Sequence, residues 1–241
     1  MRVEIEVVDD PGRACAAMLV GVAAGGGHIV LTGGSTPRGA YGEFVEAVHA
    51  VGIDVSGSTM WFGDERCVPP DDERSNYAMA KAAMFDRLGD GALPTIHRIK
   101  GELGPEAGAS DYEGQLREAG SPRFDLVLLG IGSDGHCASL FPDQASLSER
   151  SRLVVGVEEA GLEPFVPRVT LTLPALTRAR QVVFLATGES KAGPVAAAFG
   201  PGAKPDPHVP TSLVPPLARE VKVLLDRAAA SGLGSGASGA S

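Results

Sequence analysis

Cysteine is scarce and shows no pairing pattern. Cys15, Cys67 and Cys137 are odd in number, and no two stand in a CxxC spacing, which excludes a disulfide framework and points to a reduced compartment. Aromatic residues make up only 5% of the chain, so the core has to be largely aliphatic. Long apolar runs are missing too. None approaches the roughly 20 residues that cross a bilayer, and no charged segment followed by an apolar one opens the chain. A soluble, cytoplasmic protein without membrane contact is expected. Asn76 is the only asparagine and arginine far outnumbers lysine; both read as codon bias of a GC-rich genome.

Positive charge is in deficit as well. Lys and Arg number 21 against 30 Asp and Glu, for a net charge of −9. An extended nucleic-acid or anionic-membrane partner needs a basic face, so neither is expected. A single phosphate is a different matter, because a few cations and one helix N-terminus suffice for it. No Walker A, GxSxG or HExxH pattern occurs, and no Cys/His spacing suits a metal. Neither a metal nor a cofactor is therefore expected.

What is present is an alternation of strand and helix signals. Strands are expected at Val3–Val8, His28–Leu31, Thr59–Phe62, His97–Ile99, Phe124–Leu129, Leu153–Val157, Arg168–Leu173, Gln181–Ala186 and Val221–Leu225. Helices are expected at Ala14–Ala24 with Asp9 or Asp10 as cap, from Arg38 to about Val51 capped by Ser35 or Thr36, and from Asn76 to about Leu88 capped by Ser75. Two more are expected at Pro105–Ala119 and Pro194–Phe199. This order predicts an α/β fold, a three-layer α/β/α sandwich on a mostly parallel sheet. One domain over residues 1–230 is expected, followed by a disordered Gly/Ser/Ala tail over 231–241.

In a parallel sheet all strand C-termini share one edge, so loops that follow different strands can meet in one cleft. Thr32-Gly33-Gly34-Ser35-Thr36-Pro37 joins a strand to a helix N-terminus, where free N–H groups favour an anion. Gly63-Asp64-Glu65-Arg66 sets two carboxylates beside a guanidinium: Asp64 as a base or sugar ligand, Arg66 as a phosphate partner. Gly188-Glu189-Ser190-Lys191 and Arg168 add cations to an acidic chain. His136 is the sharpest candidate, in Gly132-Ser133-Asp134-Gly135-His136 after a strand. A histidine works as a base near neutral pH when a carboxylate such as Asp134 holds its tautomer. The run Gly130 to Gly135 also matches G-x-G-x-x-G, but Pro142 leaves room for little more than one helical turn after it. A dinucleotide site needs a long helix there.

Three blocks, LTGGSTPRGAY (Leu31 to Tyr41), WFGDERCVPPDDERSNY (Trp61 to Tyr77) and LLGIGSDGHCASLFP (Leu128 to Pro142), resemble the 6-phosphogluconolactonases. PRVTLTLPAL (Pro167 to Leu176), the glycine and lysine of GESK, and VPTSLV (Val209 to Val214) are similar to that family's later segments. The resemblance implies a hydrolase that opens 6-phosphoglucono-δ-lactone in the oxidative pentose phosphate route. The implied fold is the one shared with glucosamine-6-phosphate deaminases and ribose-5-phosphate isomerases. A deaminase-like isomerase is the main rival, with a non-catalytic sugar-phosphate sensor behind it. The deaminases continue DGH into Asn-Glu-Pro and follow Asp-Glu with tyrosine; Ser139-Leu140-Phe141-Pro142 and Arg66 stand here instead. Cys137 occupies a position where the lactonases usually have threonine.

On this reading His136 and Asp134 are catalytic together with Asp64. Gly33, Gly34, Ser35 and Thr36 surround the substrate, and Arg66, Arg168 and Lys191 hold its phosphate. The partner is a small phosphorylated lactone, the chain a monomer or weak homo-oligomer. Cys67 and Cys137, each following a site motif, are expected near the cleft, where oxidation could inhibit; small buried residues of no consequence are the more common outcome for such cysteines.

Overall fold

A strand without a polar position has to be covered on both faces, and the run ending at Leu129 is such a strand. The structure, a computed structural model, describes residues 2–89 and 93–234. In chain order the first half holds β1 (Arg2–Val7), α1 (Pro11–Ala24), β2 (His28–Leu31), α2 (Ser35–Val51), β3 (Thr59–Phe62), β4 (Asp64–Arg66), α3 (Asn76–Ala80), α4 (Asp86–Leu88), β5 (Thr95–Ile96) and α5 (Pro105–Glu118). The second half holds β6 (Leu126–Leu129), β7 (Val154–Val157), β8 (Arg168–Leu171), α6 (Leu173–Thr177), β9 (Gln181–Ala186), α7 (Ala192–Phe199) and β10 (Glu220–Leu225).

Seven strands form one sheet in the order β1-β10-β9-β6-β2-β3-β5, and every neighbouring pair in it is parallel. All four residues of β6 are buried, as central strands of a layered α/β/α sandwich must be. The core is aliphatic in the main, with Trp61, Tyr41, Tyr112, Phe44 and Phe184 as its largest members. Each fully buried apolar side chain stabilises the fold by about 1.5–3 kcal/mol.

The structure differs from the sequence reading in several places. Asp64–Arg66 is not a strand-end loop but β4, paired antiparallel with β8 in a second, three-stranded sheet β4-β8-β7. Three residues are too few to read as a strand from periodicity. The predicted strand at His97–Ile99 lies earlier, at Thr95–Ile96. The helix after Ser75 is broken by a π-helical stretch at Lys81–Phe85. Order runs past Ala230: Ser231–Leu233 is a 3₁₀ turn with Leu233 buried, because one leucine in a small-residue tract suffices to anchor it. The rest of the expected tail, from residue 235, lies outside the described residues. No described helix is long and apolar enough to cross a membrane.

The β2–β6 ladder positions the site. It pairs only Ile29 with Leu126 and Val30 with Val127, and stops before either strand does. The chain moves from β2 to β3 on one side of this seam and from β6 to β9 on the other, so the seam is a topological switch point. Beyond the end of the ladder the Thr32 N–H and C=O are left without a strand partner for their hydrogen bonds. The Tyr41 hydroxyl of α2 takes that place, accepting from the Thr32 N–H at 2.9 Å and donating to its carbonyl at 2.7 Å. Tyr112 of α5 does the same for Phe62, where the two-residue β5 has run out, at 2.8 and 3.1 Å. Tyr41→Phe and Tyr112→Phe each leave a buried N–H and C=O unpaired, at about 1–3 kcal/mol per group. Urea unfolding is expected to show a lower midpoint for both variants with an unchanged m-value.

Candidate active site

Where the main-sheet strands end, the loops after β2, β6 and β9 line a cleft of about 240 Å³ together with β4. Its walls carry Gly33, Gly34, Ser35, Thr36, Asp64, Arg66, His136, Arg168 and Lys191. Sequence reading named each of these; Asp134 lies behind His136. The residue capping α2 is Gly34, at φ +114, and no side chain caps the helix. Ser35 and Thr36, expected as caps, instead occupy its first turn. Thr36 Oγ1 is hydrogen-bonded to Thr187 Oγ1 at 2.8 Å and ties the β2 and β9 loops together. The α2 N-terminus is therefore left for a ligand, with the positive end of the helix dipole facing the cleft wall. Gly33 has no room for a side chain: a Cβ there would stand 1.9 Å from Asn76 Oδ1.

After β6 the chain folds into a tight turn. The Gly135 N–H donates to the Gly132 carbonyl at 3.0 Å and the Gly132 N–H to the His136 carbonyl at 2.8 Å. Gly135 sits at φ +84, which glycine adopts without strain. This turn sets the Asp134 carboxylate against His136, with Oδ1 2.6 Å from Nδ1 and 3.1 Å from the backbone N–H. Burial pushes the Asp134 carboxyl up, but the bonds and charge of His136 outweigh it and hold the group below the ordinary range. An ionised carboxylate only accepts, so in the neutral imidazole the proton sits on Nδ1 and the lone pair on Nε2. The imidazole packs on Phe141, ring centres 4.8 Å apart, and Phe141 also lies 6.0 Å beneath the Arg168 guanidinium.

The charged residues beyond this dyad divide by their partners. Asp64 is buried, and both its oxygens are engaged: Ser139 Oγ donates to Oδ2 at 2.6 Å and Asn76 Nδ2 to Oδ1 at 3.1 Å. Arg168 is buried and donates to the carbonyls of Val166, Pro164 and Leu162 at 3.0, 2.7 and 3.4 Å, so it carries the loop that forms one wall. Burial pushes its guanidinium down, against the opposing pull of Asp64. Arg66 donates through Nη1 to the Arg74 carbonyl, but its buried Nε has no partner among the described residues. Lys191 has no ion pair among the described residues; burial lowers its amine pKa, opposed by Asp134.

Glu65 received no role in the sequence reading, yet it holds β4 to α3. Its carboxylate accepts from the N–H groups of Arg66, Asn76 and Tyr77 at 2.7, 2.7 and 2.8 Å, and from Ser75 Oγ at 2.9 Å. Asn76, Phe141, Leu162 and Glu163 also line the cleft and were not named as site residues. The usable signal was Asn76, a lone asparagine beside the expected Ser75 cap. Neither cysteine is among the lining residues. Cys137 is buried and pushed up to about 12, chiefly by burial, and Cys67 is pushed up to about 11 by burial and then by Glu158 and Glu65. Both thiols are thus poorly ionised and poor targets for oxidation. Among the described residues no group of three or more His, Cys, Asp or Glu is placed to hold a metal ion.

Residues 11–223 match the family model of glucosamine-6-phosphate isomerases/6-phosphogluconolactonase. The chain is 38% identical to a 6-phosphogluconolactonase of Synechocystis sp. over 87% of its own length and 85% of that protein. It is 39% identical to the 6-phosphogluconolactonase of Homo sapiens over 83% and 78% of the two chains. Among solved structures, the 6-phosphogluconolactonase from Trypanosoma cruzi superposes with a TM-score of 0.82 at 28% identity, over 97% of each chain.

The dyad depends on the missing side chain at Gly132. A Cβ there would stand 2.1 Å from His136 Nδ1 and 2.5 Å from Asp134 Oδ1. Gly132→Ala is expected to part the two groups and to cost about 1–3 kcal/mol of stability. The His136 imidazole resonances should move in NMR spectra while those of β1 stay in place.

Proposed function

The chain belongs to the glucosamine-6-phosphate isomerase/6-phosphogluconolactonase family, and from that premise we infer that its cleft hydrolyses 6-phospho-D-glucono-1,5-lactone. The product is 6-phosphogluconate, and the reaction belongs to the oxidative pentose phosphate route. The observation that carries the mechanism is the Asp134–His136 pair at 2.6 Å, on a cleft that also carries Arg66, Arg168 and Lys191. A lactone is an activated ester, so a water made nucleophilic by a base suffices and no covalent intermediate is required.

In this reading His136 Nε2 takes a proton from water as the oxygen attacks C1. The ring C–O bond then breaks, and the imidazolium returns the proton to the departing ring oxygen. Asp134 fixes the tautomer and stabilises the imidazolium by charge. The uncapped N-terminus of α2 and the glycine N–H groups stabilise the oxyanion, an effect often worth about 3 kcal/mol. The Arg66 guanidinium, which lines the cleft, and Lys191, without an ion pair among the described residues, receive the phosphate. That anchors the sugar so that C1 meets the same water each time. Arg168, already satisfied by three carbonyls, shapes the wall and adds field. Asp64 acts through Ser139 and Asn76 as a fixed strut rather than a base, since neither of its oxygens is spare. We propose further that the two sheets work as one cytoplasmic domain.

A deaminase-like isomerase remains the rival activity, and ammonia release from glucosamine-6-phosphate separates the two. The decisive assay generates the lactone with glucose-6-phosphate dehydrogenase and follows its loss. His136→Ala is expected to lower turnover at least about a hundredfold with an unchanged thermal melt; near-wild-type turnover would falsify the base role.

The phosphate assignment has its own readouts. Lys191→Ala is expected to raise KM for the phosphorylated lactone about tenfold or more and to leave unphosphorylated gluconolactone unaffected. Because burial lowers the Lys191 pKa, its cation is lost as pH rises, at a lower pH than for an exposed lysine. Calorimetric affinity for 6-phosphogluconate should accordingly weaken on the alkaline side before ordinary lysines titrate, and the Lys191→Arg variant should show a flat profile there.

A further inference from the structure

The opposite edge of the main sheet carries a second cationic cleft that the lactone chemistry does not use. Arg180 immediately precedes β9 and Arg219 immediately precedes β10. Since Val221 pairs with Val182, positions 219 and 180 lie level on neighbouring strands. Leu126 pairs with Gln181, which brings the segment before β6, with Arg123, beside Arg180. Arg123, Arg180, Arg219 and Glu220 line a cavity of about 440 Å³ there. Adjacent strands are about 4.8 Å apart, so the three guanidinium groups are spread over a front of about 10 Å.

The charge in this cleft is not balanced from within. Asp125 pairs with Arg180 at 3.1 Å, but its second oxygen accepts from the His28 N–H at 2.9 Å. Glu220 accepts from Gln181 Nε2 at 3.3 Å and forms no ion pair among the described residues. Arg123 spends Nε on the Arg178 carbonyl at 3.0 Å, which fixes the side chain and leaves both its terminal nitrogens without a partner among the described residues. Neither Arg123 nor Arg219 has a carboxylate within 4 Å among the described residues. In a chain of net charge −9, where acids are plentiful, this leaves the exposed Arg123 and Arg219 without an ion pair among the described residues beside the Arg180–Asp125 pair, a local excess of positive charge that favours an anion.

From this arrangement we propose that the β9–β10 edge is a binding site for a compact polyphosphate anion. Guanidinium groups bind phosphate oxygens in forks, and a front of about 10 Å suits a chain of two or three linked phosphates better than one. No aromatic ring lines the cavity, so nothing there stacks on a base, and the phosphate chain itself is what is read. Free polyphosphate and the tail of a nucleoside triphosphate are the two sources of that chemistry. The site lies at the far end of β9, six residues long, which at about 3.3 Å per residue is about 20 Å from the first cleft.

The test is calorimetric titration of the full chain with inorganic tripolyphosphate, with ATP, and with inorganic phosphate. Tripolyphosphate is expected to bind, ATP to bind with similar affinity, and inorganic phosphate to bind more than tenfold more weakly. Arg219→Ala is expected to weaken tripolyphosphate about tenfold, and the double variant R123A/R219A further, with lactone turnover unchanged. Lys191→Ala should leave tripolyphosphate binding as it was. Arg219 donates no side-chain hydrogen bond among the described residues, so its variant keeps the fold and serves as the primary probe. No binding by wild type, ATP binding without tripolyphosphate binding, or loss of binding in Lys191→Ala but not in Arg219→Ala would each overturn the proposal.

Discussion

The early end of the β2–β6 ladder is the constraint on which the rest of the site depends. Two residue pairs are joined, and then two parallel strands in the middle of a sheet stop bonding to each other. Such a gap exposes peptide groups in the protein interior, which is costly unless each finds a partner. Tyr41 repairs the β2 side with one hydroxyl used as both donor and acceptor. Once that repair is in place, the loops after β2 and β6 diverge with a cleft between them. Tyr41 comes from α2 itself, so the helix whose N-terminus opens on the cleft is fixed by the bond that makes the cleft possible.

A second set of contacts turns an opening into a rigid site. Glu65 spends a buried carboxylate on four donors; burial still pushes its pKa above the ordinary range, with those four hydrogen bonds pulling against it. Three of those donors are backbone N–H groups at the end of β4 and the start of α3, so Glu65 caps a helix and locks a strand to it at once. Asn76, at the start of that helix, then reaches back to the Asp64 carbonyl and carboxylate, while Ser139 reaches Asp64 from the loop after β6. The two sheets are thereby joined through polar atoms under the floor of the cleft. A buried network of this kind is stable only when each member is satisfied, and each named here is.

The legible part of this protein was its rhythm. Gln181–Ala186, His28–Leu31 and Thr59–Phe62 were readable to the residue because buried parallel strands are short apolar runs between glycines and polar turns. The convergence of the loops followed from parallel topology, and with it the candidates His136, Lys191 and the Gly33-Gly34 pair. What sequence did not disclose was long-range partnership. Asp64 and Arg168 look like free charges in one dimension; in space one is bound by Ser139, 75 positions away, and the other by the wall it supports. Asn76 was passed over as a compositional accident, although a lone asparagine in a chain that otherwise avoids the residue is a reason to ask what only its amide can do. The three arginines of the far edge precede three different strands, and nothing local marks them as neighbours.

These partnerships also explain how an acidic protein presents cations to an anionic substrate. Half of the arginines here are spent on carboxylates, in pairs such as Arg98 with Glu102 and Arg87 with Glu46, which add little to stability. Of the cations without an ion pair among the described residues, Arg66, Arg168 and Lys191 line the cleft at the C-terminal edge of the parallel sheet and Arg123 and Arg219 the one at its other end. At the C-terminal edge their field is sharpened by burial: Lys191 is held by the fold where water solvates it poorly, and Arg66 keeps one buried donor unpaired. Leaving those groups incomplete lowers the stability of the unliganded protein, and under the proposed function an arriving phosphate would recover that deficit as binding energy. Asp134 sits on the other side of the same balance. Its negative charge would repel the phosphate, but the short contact with His136 turns it inward, so the dyad presents an imidazole nitrogen rather than a carboxylate to the cleft. The single glycine at 132 permits that contact, and the placement of charge in the site rests on it.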